Sequence, residues 1–160
     1  MKRILCVLLA TIILFGMLPS VAGASEAPKA TKYSSIEYLE NGDYIVTELV
    51  IDSSDALSQA KEQETRAIKQ GTKTANYYNS VGKKIWSVTV DGTFSYTYGV
   101  SATATGSTAT VSIFVSGATF KNKNAYTTGN TAIASGTVAY NGMSTTKSVS
   151  VSCDKYGNLS

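Results

Sequence analysis

The feature that most constrains the fold is a strict alternation of side-chain type over residues 86–98. Even positions carry apolar or aromatic side chains or glycine, and odd positions carry serine, threonine or one aspartate. Side chains two residues apart share one face of a β-strand, whereas a helix would repeat its apolar positions every three to four residues. The stretch therefore predicts a long amphipathic strand with Trp86 on its apolar face.

The same period of two recurs through the rest of the chain and predicts about eight strands. Asn-Gly dipeptides at 41–42 and 141–142 are strong hairpin signals, because both residue types tolerate positive φ. The fold class is predicted to be all-β, an antiparallel β-sandwich, with an immunoglobulin-like sandwich or a small barrel as alternatives. The predicted strands lie near residues 35–39, 43–51, 72–79, 84–98, 108–116, 118–126, 131–140 and 144–153.

The first residues have the pattern of a secretory signal peptide. Lys2 and Arg3 precede an apolar run over residues 4–18, and small residues follow up to Ala24. This run is shorter than the roughly 20 residues that span a bilayer, so a signal peptide over residues 1–24, cleaved after Ala24, is favoured over a membrane anchor. We therefore expect a secreted protein, extracellular or associated with the cell surface, and not held in the membrane after cleavage.

The remaining chain has the length of one domain. Residues 25–34 are small and polar and predict a flexible leader, and residues 35–160 predict a single β-sandwich domain. Residues 52–71 are polar and rich in helix-forming residue types, which predicts an insert that is either helical or disordered. Residues 154–160 are expected to form a polar tail.

Several chemistries are disfavoured by composition. The chain contains no histidine, which removes histidine general bases, histidine-activated nucleophiles and histidine zinc ligands. Without Lys2 and Arg3, 12 of the 14 basic residues remain against 11 acidic ones, so a nucleic-acid partner is not expected. Cleavage removes Cys6 and leaves Cys153 without an internal disulfide partner; its strand pattern predicts a buried thiol on the apolar face. No cofactor or metal site is predicted.

Two kinds of site remain as candidates. Trp86 can fill the core, or it can form an aromatic platform for a sugar ring together with Tyr96 and Tyr98. For catalysis, a glycosidase needs two carboxylates across a cleft, and Glu37 and Glu48 could pair across the first Asn-Gly hairpin. Such pairs are usually solvated residues of an outer face, so a carboxylate-based hydrolase is the least supported function and no catalytic residue is assigned.

The chain also resembles an uncharacterised family, a domain of unknown function, of small secreted proteins from Gram-positive bacteria. The resemblance rests on residues 35–45, 71–96, 129–132 and 151–160, which cover much of the mature chain. It implies a secreted protein and supplies no activity. Members often carry another cysteine shortly after the tryptophan strand; residues 98–105 contain none here, so any bridge of that kind is missing and Cys153 is unpartnered.

Taken together, these observations favour a secreted, non-enzymatic β-sandwich module that binds a cell-surface or extracellular ligand, such as a cell-wall glycan. The alternative is a protein–protein or self-associating secreted factor, adhesive or antagonistic, in which exposed edge strands pair with another chain. Residue pattern alone identifies neither the ligand nor the partner.

Overall fold

The structure, a computed structural model, describes residues 31–51 and 66–160. The predicted signal peptide, most of the leader and residues 52–65 of the predicted insert lie outside these ranges. Within them the regular structure is entirely β, which confirms the all-β prediction, and no helix there is long and apolar enough to cross a membrane. The strands are β1 Thr31–Tyr38, β2 Tyr44–Ile51, β3 Arg66–Tyr78, β4 Lys84–Thr97, β5 Ser101–Ile113, β6 Thr119–Thr128, β7 Thr131–Tyr140 and β8 Met143–Ser152.

The strands form two antiparallel sheets that pack face to face. One has the order β1-β2-β3-β4-β5 and the other the order β6-β7-β8. The smaller sheet covers the β3–β5 side of the larger one, with β8 over β3 and β4, β7 over β4 and β5, and β6 against β5. Both sheets are meanders in chain order, so the described strands do not make the Greek-key connections of an immunoglobulin sandwich.

The core lies between these sheets and is built by the alternating strands. Trp86, Val88, Val90 and Phe94 on the inner face of β4 are each at most 2% exposed. They face the small inner residues of β7, and the buried Val149, Val151 and Cys153 complete the layer from β8 and the residue after it. The predicted core role of Trp86 and the predicted burial of Cys153 are confirmed.

The main differences from the predicted strand bounds are in β3, β5, β6 and β1. β3 begins at Arg66, within the predicted 52–71 insert, because β4 extends far enough to pair Thr97 with Arg66. β5 begins at Ser101 instead of residue 108, since it pairs with β4 along nearly its whole length. β6 ends at Thr128 instead of residue 126, and residues 31–34 of the predicted leader belong to β1.

The C-terminal residues form a latch, which we define as residues 154–160, and the prediction of a polar tail is wrong. Residue Leu159 makes a β-bridge with Cys153 and is only 8% exposed. The turn between them is held by Asp154, whose Oδ1 accepts hydrogen bonds from the backbone N–H of Tyr156 at 2.8 Å and of Asn158 at 2.9 Å. One apolar side chain is thereby returned to the core from a segment of polar composition.

Candidate functional site

The turns that connect β1 to β2, β3 to β4 and β7 to β8 all lie at one end of the sandwich, which we call the turn end. Between the two sheets at this end is an open concavity of about 260 Å³, the turn-end pocket. Its walls combine aromatic rings with amide and hydroxyl groups and one carboxylate. The lining residues are Asn41, Asp43, Tyr77, Asn79, Ser80, Trp86, Val138, Tyr140, Asn141, Met143 and Thr145.

The wall from the larger sheet is formed by Tyr77 and Trp86, which are register partners at the end of β3 and the start of β4. Their rings stack with centroids 5.9 Å apart and an angle of 18° between the planes. Tyr77 lies next to a register shift between residues 77 and 78, after which the chain turns toward β4. Strand alternation places both rings on the inner face, so the pocket begins where the core ends.

The opposite wall comes from the smaller sheet. Val138 pairs with Thr145, and Tyr140 pairs with Met143, across the β7–β8 hairpin. Val138 is buried, Tyr140 is half-buried and Met143 is 60% exposed, so this wall runs from the core to solvent. Asn141, in the turn of this hairpin, has a φ of 50°, a conformation that asparagine tolerates better than most residues.

Asp43 holds the turns of the larger sheet together. Its Oδ1 accepts a hydrogen bond from the Ser80 backbone N–H at 2.9 Å. Its Oδ2 accepts one from Asn41 Nδ2 at 2.9 Å and a further one from the Tyr77 hydroxyl. Because these donors come from the β1–β2 turn, the β3–β4 turn and the end of β3, one carboxylate fixes the shape of this side of the pocket.

The electrostatics of the pocket follow from the same carboxylate. Burial raises the pKa of the Tyr77 hydroxyl, and its hydrogen bond to Asp43 raises that pKa further, so Tyr77 remains a donor. In the described part of the chain, no lysine or arginine forms an ion pair with Asp43; the salt bridge found there joins Lys147 to Glu37 at 2.6 Å. Within residues 31–51 and 66–160, the pocket lining therefore supplies one negative charge without a cationic partner.

The other polar side chains of the pocket are neutral. Asn79 Oδ1 accepts a hydrogen bond from the Lys83 backbone N–H at 2.8 Å, which secures the β3–β4 turn. The Asn141 amide and the Thr145 hydroxyl make no hydrogen bond with any described residue. These neutral groups are available to a ligand but bring no charge of their own.

The three residues predicted as a platform are not brought together. Trp86 contributes to the turn-end pocket, but its ring is only 2% exposed. Tyr96 lies near the other end of β4, about 33 Å away at the usual strand rise, where it packs against Gly157 of the latch. Tyr98 is 62% exposed, and its ring and the Tyr156 ring form a T-shaped pair with centroids 5.3 Å apart. Only Trp86 therefore belongs to this candidate site.

Glu37 and Glu48, which could have paired across the first Asn-Gly hairpin, do not pair. The register places Glu37 opposite Ile45 and Glu48 opposite Ser34, so the two carboxylates lie on opposite faces of the hairpin. Glu37 binds Lys147, and Glu48 accepts a hydrogen bond from Asn76 Nδ2 at 3.1 Å. No group of three histidine, cysteine or acidic side chains that could hold a metal ion occurs in residues 31–51 and 66–160.

A second aromatic group lies on the outer face of the larger sheet at the same end. Tyr44 and Tyr78 stack at 5.0 Å with an angle of 6°, and Tyr38 tilts against Tyr44 at 5.9 Å. Next in this row, Lys84 Nζ lies 4.2 Å from the centroid of the Phe114 ring. Because the tyrosine faces are largely used against one another, this row serves better to stabilise the hairpins than to hold a ligand.

Sequence reasoning identified the Asn-Gly turns but not the pocket that they frame. In a meander, turns that follow odd-numbered strands lie at the same end of a sheet, so 41–42 and 79–82 could have been placed together. The contact between Asp43 and Tyr77 was harder to predict from the sequence than the position of the turns, since it depends on the pairing of β2 with β3. The position of Asn141 and Tyr140 opposite them depends on how the two sheets meet.

Comparisons of the chain with protein-family models, with curated proteins and with solved structures return no match. The functional conclusions below therefore rest on the geometry and chemistry of the turn-end pocket.

Proposed function

We propose that this protein is a secreted, non-enzymatic binding module that holds a small group of a cell-surface or extracellular ligand in the turn-end pocket. The observation that carries this proposal is the pocket itself, in which two stacked rings, Tyr77 and Trp86, face Tyr140 and Met143 across the gap between the sheets. Ligand sites typically combine apolar walls of this kind with a few fixed polar groups.

The size and rigidity of the pocket support a ligand group of limited size. A concavity of about 260 Å³ is smaller than the roughly 300–1,000 Å³ of sites for drug-sized molecules. Its walls stand on strand ends and tight turns that Asp43 ties together, and such supports hold a site in one geometry. A rigid pocket of this size suits the terminal group of a larger molecule.

The hydrogen bonding of Asp43 supports binding over catalysis. General acid–base work needs a group within reach of the proton that it transfers, but the Asp43 oxygens already accept hydrogen bonds from Asn41, Tyr77 and Ser80. No second carboxylate occurs among the described residues that line the pocket, whereas a glycosidase requires two. In this proposal the carboxylate organises the site and contributes charge.

The alternative of self-association through an edge strand is less well supported. β6, an edge strand that is exposed along almost its whole length, has an irregular register between Phe120 and Asn122. Lys121, at this irregularity, and Lys123 are both exposed. Bulges and lysines are common devices that prevent an edge from pairing with another chain. The pocket therefore remains the preferred site.

A nuclear magnetic resonance screen tests the proposed site. We expect small fragments, including monosaccharides, amino acids and organic ammonium ions, to give amide shift changes that cluster at Asn79, Ser80 and Asn141. Tyr140→Ala removes one wall and should weaken any such binding at least about tenfold, as loss of a buried aromatic contact does. Val81→Ala is the matched control, because Val81 lies in the β3–β4 turn at the same end, outside the lining, and is 83% exposed.

Shift changes that cluster elsewhere, or the absence of any change with millimolar fragments, would contradict the proposal. A Tyr140→Ala protein that binds as tightly as the wild type would do the same.

A further inference from the structure

We infer that the turn-end pocket selects a quaternary ammonium group, because its aromatic walls flank a carboxylate that has no cationic partner among the described residues and little remaining capacity for hydrogen bonds. This inference rests on the proposed function and names the chemical class of the ligand.

The charge of Asp43 favours a cation. Among the described residues, Lys83, Lys84 and Lys147 are close in sequence to the lining, and none forms an ion pair with Asp43. Lys84 lies over the Phe114 ring and Lys147 binds Glu37. A charge at the rim of a protein core interacts more strongly than one in bulk water, because the effective dielectric constant is lower. A positively charged ligand group would compensate the single negative charge of the pocket.

The hydrogen-bond arrangement distinguishes between kinds of cation. The Asp43 oxygens already accept bonds from Asn41 Nδ2, the Ser80 N–H and the Tyr77 hydroxyl. A primary ammonium group brings three N–H donors. The Asp43 oxygens have too few free lone pairs for all three, so the remaining donors depend on neutral acceptors such as Asn141 and Thr145. A quaternary ammonium group has no donors, so it gains the attraction of the charge without requiring free lone pairs.

The walls supply the second attraction. Aromatic faces attract cations, and aromatic cages are a recurring way to bind quaternary ammonium ligands. Tyr77 and Tyr140 line opposite sides of the pocket, and the Trp86 ring stacks on Tyr77. Met143 lies at the solvent end of the Tyr140 wall and supplies a polarisable thioether. The methyl groups of a trimethylammonium ion would also bury apolar surface against these side chains.

Choline is the probe that tests this inference, and Trp86 is the reporter, since it is the only tryptophan of the chain and lines the pocket. We expect choline to change the Trp86 emission with saturation in the purified protein. The neutral isostere dimethylbutanol, in which carbon replaces the ammonium nitrogen, should bind at least about tenfold more weakly, the size of a typical cation–π plus charge contribution. Ethanolamine, a primary ammonium of similar length, should also bind more weakly than choline.

Two variants separate the contribution of the Asp43 charge to choline binding from that of the aromatic wall. Asp43→Asn removes the charge and should weaken choline binding about tenfold while leaving the weak binding of dimethylbutanol nearly unchanged. Tyr140→Leu keeps an apolar wall and should weaken choline more than dimethylbutanol. Asp91→Asn is the charge control, because Asp91 binds Thr72 at 2.8 Å on the outer face of the sheet and does not line the turn-end pocket. Urea unfolding midpoints establish that each variant is folded.

The outcomes keep the two proposals distinct. If dimethylbutanol or ethanolamine binds as tightly as choline, or if folded Asp43→Asn binds choline like the wild type, the ammonium inference is overturned. Binding of neutral fragments alone at this pocket overturns it too, but leaves the proposed binding function in place. If no fragment binds at the pocket, both proposals fail together.

Discussion

At the scale of single residues, the contact between the sheets depends on glycines that leave no room for a β-carbon. A β-carbon on Gly136 would lie 2.6 Å from Val111 Cγ2, and one on Gly92 would lie 2.9 Å from the Ala132 β-carbon. On Gly71 it would lie 2.7 Å from Leu159 Cδ1. These positions let large side chains of one layer reach the backbone of the other, which is how a small core reaches high packing density.

A pair of alanine substitutions tests this account. Gly136→Ala should lower the free energy of unfolding by about 1–3 kcal/mol, because overpacking forces the neighbouring valines to move. Gly106→Ala, also in a strand, places its β-carbon 3.5 Å from Thr93 Cβ, an ordinary contact, so it should be neutral or stabilise by up to about 1 kcal/mol. Urea midpoints measure both; equal losses for the two variants would refute the close-contact explanation.

At the scale of elements, the latch adds the last apolar contact of the core after the eighth strand has ended. Its backbone joins β8 through reciprocal hydrogen bonds between Ser152 and Ser160, each at 3.0 Å. Hydrogen bonds from Asn158 are the main reason that the pKa of Asp154 is lowered. The latch is therefore an ordered part of the fold, and its contribution to the free energy of unfolding should be measurable.

Leu159→Ala should destabilise the protein by about 2–3 kcal/mol, near the low end for a buried leucine because a chain terminus can adjust to the cavity. Ile68→Ala serves as the comparison, since Ile68 is 72% exposed and exposed substitutions usually change stability by less than about 0.5 kcal/mol. Thermal and urea unfolding report the difference. A Leu159→Ala protein as stable as Ile68→Ala would mean that the latch does not contribute to the core.

The elements also differ in how far the sequence could predict them. β7 matches its predicted bounds, β4 differs by one residue at its end, and β8 is shifted by one residue at both ends. Long alternation identifies a face without knowledge of the partner strand. The first half of β5 is made of alanine, serine, threonine and glycine, so only its pairing with β4 makes it a strand. The latch was missed because one leucine in a polar segment gives no pattern.

The candidate site was predictable only in part, for a related reason. The burial of Trp86 followed from the strand pattern, and the Asn-Gly turns from local chemistry. The contact of Asp43 with Tyr77, by contrast, requires the register of β2 against β3, and Tyr140 reaches the same pocket only when the sheets pack. Alternation defines which side a residue occupies, but contacts between distant segments are decided by register and by packing.

At the scale of the whole molecule, two groups whose pKa values are raised in the folded protein lie at opposite ends of the sandwich. Tyr77 at the turn end has a raised pKa, and burial also raises the pKa of the Cys153 thiol at the other end, with Asp154 adding to that shift. A group whose pKa is higher in the folded than in the unfolded protein stabilises the fold at pH values below its unfolded pKa. This stabilisation is lost as pH rises through its folded pKa. Alkaline pH should therefore weaken both ends of the sandwich.

Tyr77→Phe should reduce this alkaline sensitivity. The wild type should lose stability as pH rises above about 10, the usual tyrosine pKa, because ionised Tyr77 can no longer donate to Asp43 and becomes a second anion beside it. The variant should be less stable at pH 8 by about 1 kcal/mol, the typical worth of one hydrogen bond, and should lose less between pH 9 and pH 11. Tyr98→Phe, at an exposed position, should follow the wild-type profile; urea midpoints across this range decide between them.

The chain-order arrangement of both sheets has a consequence for the sequence of assembly. Within each sheet, every strand after the first pairs with the one that precedes it in the chain, so the polypeptide can add its hydrogen bonds one hairpin at a time without threading. A nascent chain that ends after β5 would already have the whole larger sheet, yet one side of it would still face water. We therefore expect the fold to become cooperatively stable only after β6, β7 and β8 have been synthesised and cover the exposed side of the larger sheet.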